Sequence, residues 1–275
     1  MMKILTVALV ILSPLMAMSA SYAEDARTDK FKFAIGGYTL TRYDSEISVT
    51  EPHTGAGVSV NPEDTFGLKT EQSVFRIDGY YRFNENHALT YSWYRISSDG
   101  NKSVDNEINW VDKNGNAITI PIGASVNTSL DYDIYKLGYL WSFYHNDKVE
   151  LSAGAGLHIT RIAIGLQADT TSSGIDATDV AMTVPLPVLT FGLTYYVTPK
   201  FSWYFKTEIF SLAYQDWEGV YTDTTAGVEY RAWKHVGLGF ALANNSLKVT
   251  EDTSKYKFTY DNRISGGLLY VAAYY

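Results

Sequence analysis

The sequence predicts an all-β chain, a transmembrane antiparallel up-and-down β-barrel of about ten strands, and three observations predict it. Four very short turns alternate along the chain with five polar loops, three of them long. The stretches between them alternate apolar and polar side chains with the period of two that a strand requires. Rings are abundant, with 22 tyrosines, 12 phenylalanines and 6 tryptophans among 275 residues, as the two interfacial girdles of such a barrel demand. Eight strands is the near alternative, because the first, third and eighth segments alternate least clearly.

The elements follow in order. Lys3, an apolar run from Ile4 to Met18, and Ser21-Tyr22-Ala23 read as a secretory leader, residues 1–23, cleaved after Ala23. That run is broken by Ser13 and Pro14 and is shorter than the roughly 20 residues a helical span needs. Residues 24–275 then form one barrel domain, without internal repeat or linker. Strands are expected at 31–43, 72–83, 88–98, 131–144, 148–165, 184–197, 201–214, 221–232, 236–249 and 256–275. The fourth is the clearest: Tyr135, Leu137, Tyr139, Trp141 and Phe143 take one face, and Lys136, Gly138 and Ser142 the other. Turns at 84–87, 145–147, 198–200 and 233–235 mark the short side, which is periplasmic in such barrels. Loops at 44–71, 99–130, 166–183, 215–220 and 250–255 mark the extracellular side. Asp112-Lys113-Asn114-Gly115-Asn116 reads as a hairpin tip in the second loop.

The formal charge of −8 argues against nucleic acid as a partner. The absence of cysteine removes disulfides, thiolate metal sites and cysteine nucleophiles. No cofactor and no metal site is expected. Acidic residues such as Glu51, Glu63 and Asp64 in the first loop read as solvated loop charge rather than a calcium site.

The last strand closes on Leu269, Val271, Ala273 and Tyr275, spaced by two and ending on an aromatic residue. In this the chain resembles the bacterial outer-membrane β-barrel superfamily, with omptin-sized barrels and the small OmpA and OmpW types as the nearest forms. The resemblance covers 24–275 as a pattern rather than as a motif. It implies residence in the cell outer membrane, contact with outer-membrane lipid and lipopolysaccharide, and the last strand as a signal to the barrel assembly machinery.

Phase also assigns an inner face. Lys32, Arg76, Arg82, Lys136, Lys206 and Arg231 fall on it with Asp78, Glu150, Glu208, Asp223, Glu229 and His158. Charges in a narrow lumen must pair or stay wet, so they are expected to form a network that fills the barrel. The function this supports is structural or surface-interactive, with acidic loops displayed outside. The alternative is a narrow porin-like channel for small solutes. A hydrolase, either a lipid A deacylase or an omptin-like enzyme, is the third reading: lipid A deacylases of the PagL type use a histidine and serine two apart, and here His158 and Thr160 stand so, with threonine in place of serine. No catalytic residue is assigned. His87, His145 and His235 belong to the periplasmic turns, and His53 to the first loop.

Overall fold

The computed structural model describes residues 29–50, 57–69, 72–111, 117–169, 175–254 and 256–275. The leader, Glu51, His53 and the 112–116 tip lie outside them. Ten long strands make the wall: β1 (Phe31–Thr50), β3 (Gln72–Arg82), β4 (His87–Ser103), β7 (Ser125–His145), β8 (Val149–Asp169), β9 (Ile175–Thr198), β10 (Phe201–Tyr214), β11 (Trp217–Trp233), β12 (Val236–Asp252) and β13 (Lys257–Tyr274). Three short strands, β2 (Gly57–Val60), β5 (Ile108–Val111) and β6 (Ala117–Ile120), belong to the first two outer loops. Each long strand is antiparallel to its neighbours, and β13 pairs with β1 from Lys32↔Tyr274 to Thr50↔Lys257. The sheet therefore closes on itself, as it must in lipid, where an unpaired edge costs several kcal/mol per polar group.

The outward faces divide at a common level. On β7 Tyr135, Leu137, Tyr139, Trp141 and Phe143 are all exposed, whereas the next outward positions are Asp133, Asp131, Ser129 and Asn127. On β12 Leu238, Phe240 and Leu242 give way to Asn244, and on β13 Leu269 gives way to Arg263 and Asp261. Register carries the boundary from strand to strand: Trp93↔Tyr135 and Tyr135↔Ile159 lie below it, Arg95↔Asp133 and Asp133↔Arg161 above it. The apolar span on β7 is about 20 Å tall once tilt is allowed for, near the height of a barrel's lipid-facing band. Trp141, Phe143, Tyr144 and Trp233 make its lower girdle.

Above the band the strands continue as a polar collar. Segments expected to be loop, at 44–50, 99–103, 125–130 and 175–183, are strand instead. In the first three of these the outward residues are polar, so apolar alternation could not reveal them. The fourth and fifth outer connections shrink to 215–216 and 253–256, and Gln215 takes φ 54° to make the tighter one. One seam parts in the upper wall. β10 pairs with β9 only as far as Ile209↔Leu189; beyond it β9 presents Pro187 and Pro185, which lack the N–H a ladder needs.

The first loop folds inward over the mouth. Its helix α1 (Pro62–Phe66) begins where the Asn61 side chain accepts a 2.8 Å hydrogen bond from the Asp64 N–H. Pro62 suits the first turn, and Gly67 ends it at φ 71°. The lipid-facing band generates a direct test. Leu137→Arg is expected to lower stability by about 2–4 kcal/mol in urea unfolding from lipid vesicles. Asn127→Arg, ten residues up the same face, should change it by less than about 0.5 kcal/mol.

Candidate functional site: the barrel lumen

Inward side chains grade in size along the strands. On β8 the order from the periplasmic end is Glu150, Ser152, Gly154, Gly156, His158, Thr160, Ile162; on β12 it is Gly237, Gly239, Ala241, Ala243, Asn245, Leu247. Small residues below and large ones above leave space in the periplasmic half and fill the outer half. Glycine is required where tyrosine rings lie against the wall. A Cβ at Gly227 would stand 2.7 Å from the Tyr204 ring, and one at Gly239 would overlap Tyr270.

The lowest layer holds three ion pairs. Lys32 Nζ lies 2.5 Å from Glu229, whose carboxylate also accepts from the hydroxyls of Tyr270, at 2.9 Å, and Tyr274. Across the lumen one Arg82 Nη donates to both oxygens of Glu150 at 3.0 and 3.1 Å. Ser142 and Tyr196 complete that carboxylate at 2.5 and 3.2 Å. Arg231 pairs with Asp29, just before β1, and stacks 4.1 Å above the Tyr274 ring.

The middle layer is more buried. Lys136 Nζ is held 2.9 Å from Glu208 and 2.5 Å from Asp223. Glu208 also receives Lys206 at 2.8 Å and His158 Nε2 at 3.3 Å. Tyr221 donates to Asp223 at 3.2 Å and meets His158 Nδ1 at 3.0 Å. Arg76 binds Asp78 through two nitrogens, at 2.8 and 3.0 Å, while lying over the Tyr94 and Tyr38 rings.

Above this the lumen is packed. Tyr38, Tyr94, Tyr132, Tyr221, Ile96, Ile134, Leu247 and Ile264 are each under 2% exposed. The Tyr38 and Tyr94 rings meet edge to face at 5.8 Å. Glu63 and Leu68 from the first loop are buried on top. Ser45 donates to Glu63 through its hydroxyl at 2.6 Å and its N–H at 3.2 Å. Burial pushes the Glu63 carboxyl above its ordinary range, against those bonds and with the help of nearby Asp44.

Below the packed layer lies a cavity of about 260 Å³, lined from Pro199 and Lys200 at the periplasmic turn up to His158 and Glu208 at mid-height. The expectation of a filled lumen thus describes the outer half, and the periplasmic half is a vestibule. Eleven of the twelve residues assigned to the inner face line it, Asp223 is held against Lys136, and the contacts above tie each to at least one other or to Asp29. Asp29 was missed because it precedes the strand pattern. The packing tyrosines were missed because their number suggested girdles, although Tyr132 and Ile134 are in phase with Lys136. Both ring nitrogens of His158 are engaged, and Thr160, 1% exposed, is enclosed in the wall. Leu269, Val271, Ala273 and Tyr275 face outward at the end of β13. Among the described residues no group of three or more His, Asp or Glu could hold a metal ion.

Two outcomes follow from these contacts. Lys136→Met leaves buried carboxylates short of a counter-ion and is expected to cost about 3–5 kcal/mol in vesicle unfolding. Adding Asp223→Asn should recover part of that loss. Glu63 binds its proton more tightly folded than unfolded, so the cap weakens as pH rises above the ordinary carboxylate range. Protection of the 63–68 amides, taken relative to their intrinsic base-catalysed exchange, should therefore be lower near pH 8 than near pH 5, and Glu63→Gln should remove the difference.

The sequence matches no protein-family model and no curated protein. Among solved structures, the chain is similar to the outer membrane protease OmpT from Escherichia coli. The TM-score is 0.59 at 10% identity, over 92% of this chain and 100% of that one. The outer membrane protein OprG from Pseudomonas aeruginosa gives 0.33 at 9% identity, over 90% and 97%. Ail, the attachment invasion locus protein of Yersinia pestis, gives 0.27 at 9%, over 90% and 97%. The fold is that of the small bacterial outer-membrane barrels.

Proposed function

We propose that the protein is a non-conducting barrel of the cell outer membrane that carries a polar β-collar above the lipid as a surface for interaction. One observation carries the reading: the buried layer of Tyr38, Tyr94, Tyr132 and Tyr221 with Ile96, Ile134, Leu247 and Ile264 spans the lumen above the vestibule. A solute moving through would have to displace that packing, since interiors of this kind hold few voids wider than a water molecule. The ion pairs beneath brace the wall, and the first loop covers the mouth.

The collar supports the display role. Its outward residues include Asp131, Asp133, Glu218, Asp252 and Asp261, against Arg95, Lys248 and Arg263. Facing anionic lipopolysaccharide, such a surface keeps its own polar groups in water rather than against lipid phosphate. Outer-membrane lipid below the collar and an extracellular partner above it are the contacts this arrangement fits.

Planar-bilayer recording tests the reading. The wild-type protein is expected to give no steady conductance. The Tyr94→Ala/Tyr132→Ala variant, which opens the packed layer, should give discrete conductance steps. Steady wild-type conductance would overturn the proposal and favour a narrow channel.

A further inference from the structure

We infer that the periplasm-facing vestibule is a binding site for a small organic anion, a carboxylate or phosphate carrying an aromatic group. The argument rests on hydrogen-bonding capacity rather than on net charge. The carboxylates that line the cavity are paired, Asp78 with two nitrogens of Arg76 and three others with three partners each. Glu229 takes Lys32, Tyr270 and Tyr274; Glu150 takes Arg82, Ser142 and Tyr196; Glu208 takes Lys136, Lys206 and His158. A carboxylate has about four lone-pair sites, so little acceptor capacity remains.

Donors are in surplus. An ammonium offers three protons and a guanidinium five, whereas Lys32 and Lys206 each have one anionic partner among the described residues. Arg82 Nε is buried with no hydrogen-bond partner. So is the hydroxyl of Ser92, a residue 8% exposed that lines the same cavity. Lys200 adds an ammonium at the mouth, on the β9–β10 turn. A buried polar wall with unused donors and occupied acceptors is complementary to an acceptor-rich ligand, and charge-assisted bonds to carboxylate or phosphate are the strongest it can make.

Ring faces give the second half of the specificity. Tyr80, Tyr196, Tyr204, Tyr270 and Tyr274 all line the space. A cavity of about 260 Å³ admits one small ring with its anionic group. Entry is from the periplasmic side, because the packed layer closes the other. The site does not depend on the barrel being closed: a conducting barrel could still bind the anion, so the bilayer result and the binding result fail separately.

The test is calorimetric titration of the folded, detergent-solubilised full chain with phenyl phosphate. Benzylamine serves as the cationic counterpart, and inorganic phosphate as the anion without a ring. Phenyl phosphate should bind saturably, inorganic phosphate more weakly and benzylamine not at all. Lys206→Met and Lys200→Met should each weaken phenyl phosphate by about tenfold, the worth of one charge-assisted bond. Lys200 lies on the turn at the mouth, so its variant folds even where Lys206→Met does not, as heat-modified gel mobility will report. Absence of saturable phenyl phosphate binding, equal binding of benzylamine, or unchanged affinity in Lys200→Met would each overturn the assignment.

Discussion

Closure of β1 onto β13 is the constraint on which the rest depends. In lipid, backbone N–H and C=O groups must find partners within the wall, so the sheet has to close on itself, and it parts at the β9–β10 seam, beyond Ile209↔Leu189, where prolines need no partner. The ladders that satisfy this also fix the register of each strand, and register decides which inward side chains reach the same height. The ion pairs follow from it. Lys32 on β1 meets Glu229 on β11 across two intervening strands; Arg82 on β3 meets Glu150 on β8 across two; Lys136 on β7 meets Glu208 on β10 across two. Each pair is a chord of the barrel's cross-section. Backbone hydrogen bonds hold neighbouring strands together, while the chords resist flattening of the whole ring.

The two halves of the lumen solve the same burial problem differently. In the outer half, large tyrosines and aliphatic residues fill the section by packing. In the periplasmic half, serine and glycine on β8 and glycine on β12 cannot fill it, and charged side chains reach inward from opposite walls. Those charges keep access to water from below, which lowers the cost of having them inside. A buried ammonium such as Lys136, away from that access, needs two carboxylates. The size gradient along each strand therefore sets the division of labour between a seal and a polar chamber.

Much of this was legible in the sequence, and the exceptions have physical causes. Period two assigns a side chain to one face of the wall with no knowledge of partners, so the strand number and the inner positions of Lys136, Asp223 and Glu229 can be read from phase. Partner choice cannot, because it depends on shear around the ring: nothing near Lys136 in sequence points to Asp223, 87 residues on. The collar was hidden because a strand polar outside and mixed inside, such as Ser125–Leu130, has the composition of a loop. Pro185 and Pro187 did carry a readable signal, since a strand with two prolines has an edge that its neighbour must leave.

The placement of charge is the last consequence. Among the described residues, six ion-paired cationic groups in the lumen, Lys32, Arg76, Arg82, Lys136, Lys206 and Arg231, face six anionic ones, Asp29, Asp78, Glu150, Glu208, Asp223 and Glu229. They cancel, so the whole formal charge of −8 belongs to the rest of the chain. Much of that remainder stands in the collar, in water, where a Debye length of about 8 Å limits its reach at physiological ionic strength. Interior electrostatics are thus short-ranged, paired and structural, and exterior electrostatics are screened and set by the medium. Salt and divalent ions should act on what the collar meets and leave the braced wall unchanged.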